Sequence, residues 1–294
     1  MWKYLTSLLQ RKPRVDKVDI VRRFELISRV GQGSMSKVWK ARDSRSGRIV
    51  ALKVLDLEKT RKLEARFDKR LKKPTEGEIA IALKHPRIVE TTEYGMTTNG
   101  EQYLVMEYVE GMALSVLIDA QNDVMKKYRV RIMIELGDAI QYFHKQQWIH
   151  RDICPRNVLL DMQYHVKLID FGLVVPNTPP YQAPGNRTGT ANYMAPELVK
   201  RQRTDQRIDI FSYAVTCYEM CAGRMPWDAA GTLEAVMQHM NTPATDLRVY
   251  ARDIDPELSD TIMKGLELRP DDRWQTMAEM LQPLRQLPGA TIQG

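Results

Sequence analysis

The string His150-Arg151-Asp152-Ile153-Cys154-Pro155-Arg156-Asn157, followed by Asp170-Phe171-Gly172, sets two carboxylates and a carboxamide within a short stretch of chain. Oxygen donors of this kind suit a hard divalent cation such as Mg²⁺, which imidazole or thiolate would not. A second set of residues lies upstream. Gly31-Gln32-Gly33-Ser34-Met35-Ser36 interrupts a strand-like run, and a glycine-rich hairpin lets backbone N–H groups approach a phosphate without side-chain obstruction. Lys53 stands inside the apolar run Ile49 to Leu55, where burying an ammonium is costly unless an anion accompanies it. Hard cation, phosphate and carboxylate together point to chemistry on a phosphoryl group.

The elements that must position these groups follow from the pattern around them. Phe24 to Val30, Lys37 to Arg42 and Ile49 to Leu55, separated by turns, predict three antiparallel strands, and Ile88 to Met96 and Gln102 to Tyr108 predict two more. Beyond Gly111 the period changes from two to about 3.6, with Met133, Leu136, Ile140 and Phe143 on one stripe, so a helical region begins. Asn157 to Leu160 and His165 to Ile169 suggest a small hairpin, and Asp205 to Cys221, apolar on most sides, a buried helix. The basic run Lys59 to Lys73 reads as a solvated helical face. At 294 residues and net charge +7, with basic residues spread along the chain, the composition is that of an ordinary soluble protein and gives only a weak signal for an acidic partner. Three cysteines, Cys154, Cys217 and Cys221, suggest no disulfide framework and fit a reducing compartment, hence a cytoplasmic location. Cys217 and Cys221 read as core.

In full, these motifs resemble the catalytic domain of eukaryotic-type (Hanks-type) protein kinases, serine/threonine branch, in a form similar to the bacterial members, over Phe24 to Leu284. The resemblance implies an α+β, two-lobed fold. Residues 24–111 would form a small N-lobe with a five-stranded antiparallel sheet, one main helix and a hinge, and 112–287 a larger, mostly helical C-lobe. Residues 1–23 would be a basic extension and 288–294 a tail. The extension's first 14 residues are compatible with an amphipathic helix on a membrane surface, although packing on the domain or loose order is the preferred reading.

The same resemblance implies transfer of the γ-phosphoryl group of ATP to serine or threonine hydroxyls of protein substrates, the chain itself included, with Mg²⁺ as metal and Mn²⁺ as a substitute. Asp152 would orient the substrate hydroxyl and take its proton late in transfer, while Asn157 and Asp170 would coordinate the metal. Lys53 would hold ATP phosphates, partnered by a glutamate of the next helix, Glu76 by register or Glu78. Val30, Gly31, Gly33 and Ser36, the last in place of the usual third glycine, would cover the phosphates. Val38, Ala51, Met106, Glu107, Tyr108 and Leu159 would surround adenine. Gly189 to Glu197 resembles the peptide platform of serine/threonine kinases, whose threonine, here Thr190, bonds the catalytic aspartate. Asp209 would anchor the catalytic loop and Arg273 would pair with Glu197. Asn186, neither threonine nor serine, stands where an activating phosphosite often lies; Thr188, Thr178 and Tyr181 are the candidates.

Cys154 is the departure. Serine/threonine kinases usually place a lysine there, which lends positive charge to the transferred group, and a thiol does not. Arg156, where tyrosine kinases carry an arginine, would supply that charge. The alternative is a pseudokinase that binds nucleotide without transferring phosphate, against which stand Lys53, Asp152, Asn157 and Asp170, all present. No nucleic-acid partner is expected, and the sequence gives no oligomeric state.

Overall fold

Phe24, Ala41, Val50, Leu52, Tyr103 and Val105 supply the apolar side of an antiparallel sheet and form, with Val18, a buried cluster against which Ile20 and Val54 pack. The computed structural model describes residues 17–32, 36–66, 71, 73–185, 188–227 and 240–290. Residues 1–14, Gly33 and Asn186, singled out above, lie outside them. The chain divides into two compact units, the first ending at Tyr108 and the second taking in Lys69–Glu76, Lys84–Val89 and the chain from Val109 onward.

The first unit is built on strands β1 (Phe24–Gln32), β2 (Ser36–Asp43), β3 (Ile49–Leu55), β4 (Thr91–Met96) and β5 (Gln102–Glu107). They lie in the order β1-β2-β3-β5-β4, all antiparallel, as the resemblance implies. Two short helices flank β1 and follow β3, α1 (Ile20–Arg23) and α2 (Leu57–Glu64). Each begins on an aspartate: Asp19 accepts from the amides of Val21 and Arg22, and Asp56 from that of Lys59. Arg23, at the end of α1, is buried and bonds both Asp43 and Glu93, whose carboxylate also accepts from the Tyr103 hydroxyl at 2.6 Å. Nothing in the local pattern of Arg23 announced this cluster.

Helix α3 (Glu76–Ala82) follows. Its Gly77, which made the helix boundary hard to read in the sequence, lies where a Cβ would come within 2.6 Å of the Tyr94 ring. Glycine is there for clearance. One expectation changes: the strand expected from Ile88 starts only at Thr91, because Ile88 and Val89 pair instead with Leu168 of the second unit, the Val89 amide donating to the Leu168 carbonyl at 3.0 Å.

In the second unit β6 (Gly111–Ala113), β8 (Val158–Asp161) and β9 (Val166–Leu168) form a small sheet, and β7 (Trp148–Ile149) pairs with β10 (Val175–Pro176). Gly111 sits so close to β8 that a Cβ would lie 1.9 Å from the Leu160 carbonyl oxygen. The described helices are α4 (Leu114–Ala120), α5 (Asp123–Lys145), α6 (Pro179–Gln182), α7 (Pro196–Val199), α8 (Arg207–Ala222), α9 (Pro256–Gly265) and α10 (Met277–Leu284). The stripe Met133, Leu136, Ile140 and Phe143 of α5 is fully buried. Helix α8 is buried nearly all round, Cys217 and Cys221 included, as its pattern predicted. No described helix is long and apolar enough to cross a membrane.

Candidate active site

The loop after β7 is built from the inside out. Asp209, fully buried on α8, accepts the backbone N–H of His150 at its Oδ2 and that of Arg151 at its Oδ1, both at 2.8 Å, and Oδ2 also meets His144 Nε2 at 3.0 Å. Burial acts to raise the Asp209 carboxyl, but the bond and charge of His144 and the amide of His150 outweigh it and hold it below the ordinary value. Below the loop His150 lies edge-on to Phe143 and Phe171, and the two phenylalanine rings meet at 5.7 Å. Arg151 is held at φ 70° and Asp170 at φ 67°. Non-glycine residues in that left-handed region cost about 1–3 kcal/mol each and persist only where the surroundings fix them.

With the two residues before it so tied, Asp152 projects a carboxylate that three donors immobilise. Oδ1 accepts from Thr190 N and Thr190 Oγ1, each at 2.8 Å, and Oδ2 accepts from Asn157 Nδ2 at 2.9 Å. The Thr190 contact is the one the resemblance implied. It requires Gly189, at φ 142°, where a Cβ would stand 2.8 Å from the Arg151 carbonyl oxygen. Asn157 closes a 3-10 turn opened by Pro155, and its Nδ2 also donates to the Asp152 carbonyl at 2.8 Å. Two acceptors therefore claim the –NH₂ end of Asn157, which leaves Oδ1 as the end a cation would meet. The Ile169 amide donates to the Asn157 carbonyl at 2.9 Å, so Asp170 is carried to the same place. Asp170 Oδ1 accepts from the Gly172 amide at 3.3 Å. A carboxylate and a carboxamide oxygen, both hard donors, fit a small divalent ion.

In the first unit the register aligns the remaining candidates. Gly31, Val38, Lys53 and Leu104 lie opposite one another across β1, β2, β3 and β5, and Ala51 lies opposite Met106. Residues directly opposite share a face, as do residues two apart, so Val38, Ala51, Lys53 and Met106 face one way. Lys53 is buried, at 5% exposure, and Met106 is buried as well. A β-bulge between Arg29 and Gly31 leaves Val30 out of the pairing, 46% exposed. Ser36 begins β2 and is buried. Glu107 exchanges bonds with Glu90, its N–H donating to the Glu90 carbonyl at 2.9 Å, and Lys40 lies over the Tyr108 ring. Glu76 is buried at the start of α3, its carboxylate beside Gly172, while Glu78 is half-buried. Leu159, on β8, is half-buried.

The residues around Cys154 and the chain after Gly172 complete the arrangement. The Cys154 thiol is pushed up to about 11 by burial and the neighbouring Asp152 charge, so it remains a thiol at neutral pH. Arg156 is exposed, and its charge is felt at Tyr193 and Glu219, which share a 2.6 Å hydrogen bond. Arg273 and Glu197 form the expected pair, two bonds of 2.8 Å in a buried setting. Thr188 is buried, and its hydroxyl meets no described partner. Two contacts were not legible. Lys73, read as part of a solvated run, donates to the Gly172 carbonyl at 3.3 Å, and the Tyr181 hydroxyl donates to the Leu71 carbonyl. Both join residues roughly a hundred positions apart, and composition carries no trace of such a pairing.

Comparison with known proteins agrees with this geometry. The chain is 32% identical over 276 residues to a probable serine/threonine-protein kinase of Clostridium perfringens, covering 92% of this chain and 39% of that protein. It is 34% identical over 273 residues to the serine/threonine-protein kinase PknB of Mycolicibacterium smegmatis, covering 88% and 42% respectively. With PknB of Mycobacterium tuberculosis it shares 30% over 266 residues, again 88% and 42%. The chain thus spans about two-fifths of the length of the curated relatives it matches. Residues 24–284 match the protein kinase domain, a family that uses ATP and a divalent metal ion, and the chain belongs to it.

Proposed function

We propose that this chain is a protein serine/threonine kinase that transfers the γ-phosphoryl group of ATP to serine or threonine hydroxyls of proteins. One observation carries the reading: the Asp152 carboxylate is held by Thr190 on one oxygen and Asn157 on the other, the constraint expected of a group that must meet an incoming hydroxyl in one orientation. The threonine of that constraint lies in the serine/threonine-type platform. In this reading Asp152 orients the hydroxyl and takes its proton, and Asn157 Oδ1 with Asp170 holds Mg²⁺. When bound, that ion neutralises charge on the phosphates. Lys53 engages ATP phosphates. Within the first unit, Val30, Gly31 and Ser36 cover the phosphates, and Val38, Ala51, Met106, Glu107 and Tyr108 meet adenine. Arg156 supplies the positive charge that Cys154 does not.

The test is transfer of label from γ-labelled ATP, with Mg²⁺, to a generic protein substrate and to the chain itself. Wild type is expected to label both and Asp152→Asn neither. Equal labelling by the two proteins would sink the assignment, and no labelling by either would favour a nucleotide-binding pseudokinase.

A further inference from the structure

Cys154 is the catalytic-loop residue for which the family resemblance supplies no role. Its side chain is 2% exposed, and Sγ lies 3.7 Å from Thr190 Oγ1, which in turn lies 2.8 Å from Asp152 Oδ1. A hydroxyl carries one proton and two acceptor lone pairs, and a carboxylate cannot donate. The Thr190 proton therefore goes to Asp152, and its lone pairs are what the sulfur meets. Across the Thr190–Cys154 contact the hydrogen that remains is that of the thiol. Among the described residues no other donor reaches Thr190 Oγ1.

We infer that Cys154 is a positioning residue: its S–H donates to Thr190 Oγ1 and so keeps the Thr190 O–H aimed at Asp152 Oδ1. The series runs from thiol to hydroxyl to carboxylate, and each donor polarises the next. Rotation of the Thr190 hydroxyl away from Asp152 would remove one of the three bonds that fix the carboxylate. A lysine at this position contributes charge; the thiol contributes orientation. The inference rests on the reading of Asp152 as the group that orients the substrate hydroxyl.

Replacements of opposite character separate donation from packing. Cys154→Ser keeps a donor and gives up volume, whereas Cys154→Val keeps an apolar side chain, larger by one heavy atom, and removes the donor. The measurements are kcat and KM for ATP at saturating protein substrate, with melting temperatures for every variant and Asp152→Asn alongside. Cys154→Ser is expected to stay within about twofold of wild type, and Cys154→Val to lose about fivefold in kcat with KM for ATP unchanged, the order expected of one weak hydrogen bond. Cys154→Ala, a second donor-less variant, is expected to match Cys154→Val. The reverse order, with Val active and Ser impaired, or equal activity of the two, overturns the inference and leaves the sulfur as packing. Loss in Asp152→Asn with Ser and Val both at the wild-type level removes the thiol's role while the reading of Asp152 stands. Full activity of Asp152→Asn removes both.

Discussion

Replacing Asp209 by asparagine changes neither the size nor the shape of the side chain, yet it removes half of what the catalytic loop hangs on. The carboxylate accepts the His150 and Arg151 amides on separate oxygens at 2.8 Å, and hydrogen bonds to a charged acceptor are worth about 1.5–3 kcal/mol each. A carboxamide has one acceptor oxygen, so one of the two amides must face an –NH₂ group. His144 Nε2, 3.0 Å from Oδ2, carries the hydrogen of that contact, because a carboxylate only accepts, and it holds the carboxamide oxygen on the Oδ2 side, which leaves the Arg151 amide as the orphan. An unsatisfied buried donor costs about 1–3 kcal/mol. The surviving bond from His150 loses its charge assistance, about another 1 kcal/mol. The expected loss is therefore about 2–4 kcal/mol. Part of it can be relieved if Arg151 leaves its left-handed conformation at φ 70°, and Asp152 is then no longer set. Urea denaturation should show the stability loss, and phosphoryl-transfer kinetics should show kcat lowered by about 10- to 100-fold, the equivalent of 1.4–2.7 kcal/mol, with KM for ATP little changed. A stability change below about 0.5 kcal/mol together with wild-type kcat would refute the reasoning, because it would mean that the loop holds its shape without the two charge-assisted bonds.

Other perturbations probe the remaining links. Chelation of divalent ions should abolish phosphoryl transfer and added Mg²⁺ restore it, while Asp170→Ala should stay inactive at any Mg²⁺ concentration; activity in the chelated protein would contradict the assignment of Asn157 and Asp170. Arg273→Met should cost about 3–5 kcal/mol by leaving the Glu197 carboxylate buried without its partner, read as a fall in the denaturation midpoint. Arg23→Met strands Asp43 and Glu93 and should cost about 3 kcal/mol, the low end for a buried pair because the Glu93 side chain is 36% exposed. The hydrogen bonds from Arg23 hold both carboxyls below their ordinary values. Their contribution is therefore complete above the unfolded carboxyl range near 4 and is lost as pH falls through the lower folded values. Wild type should lose stability on acidification through that window more steeply than Arg23→Met, and parallel curves would contradict the linkage.

What the sequence made legible divides along a physical line between local and distant constraints. The strands around Lys53 and the stripe Met133, Leu136, Ile140 and Phe143 could be read because apolar periodicity is a local consequence of burying one face, and all four stripe residues are fully buried. The catalytic string was legible for a different reason: Asp152 and Asn157 are five positions apart and bond each other directly, so their spacing is itself the geometry. Arg23 was not legible, because its partners Asp43 and Glu93 are 20 and 70 residues away and an arginine ending a short helix looks like any solvated one. Lys73 failed in the same way, its contact with Gly172 spanning 99 positions. Ile88 and Val89 were misplaced because strand-like composition does not say which sheet will take the strand, and here Leu168 does. Cys154 shows the sharper limit. Its identity was read as the loss of a charge, which is what comparison with a lysine reports. Its geometry shows a buried thiol in line with Thr190 and Asp152, and only the proton count at Thr190 Oγ1 turns that line into a direction of donation. A substitution in a motif can thus remove one contribution and supply another of a different kind, and the second becomes visible only when the hydrogens of the neighbouring groups are assigned one by one.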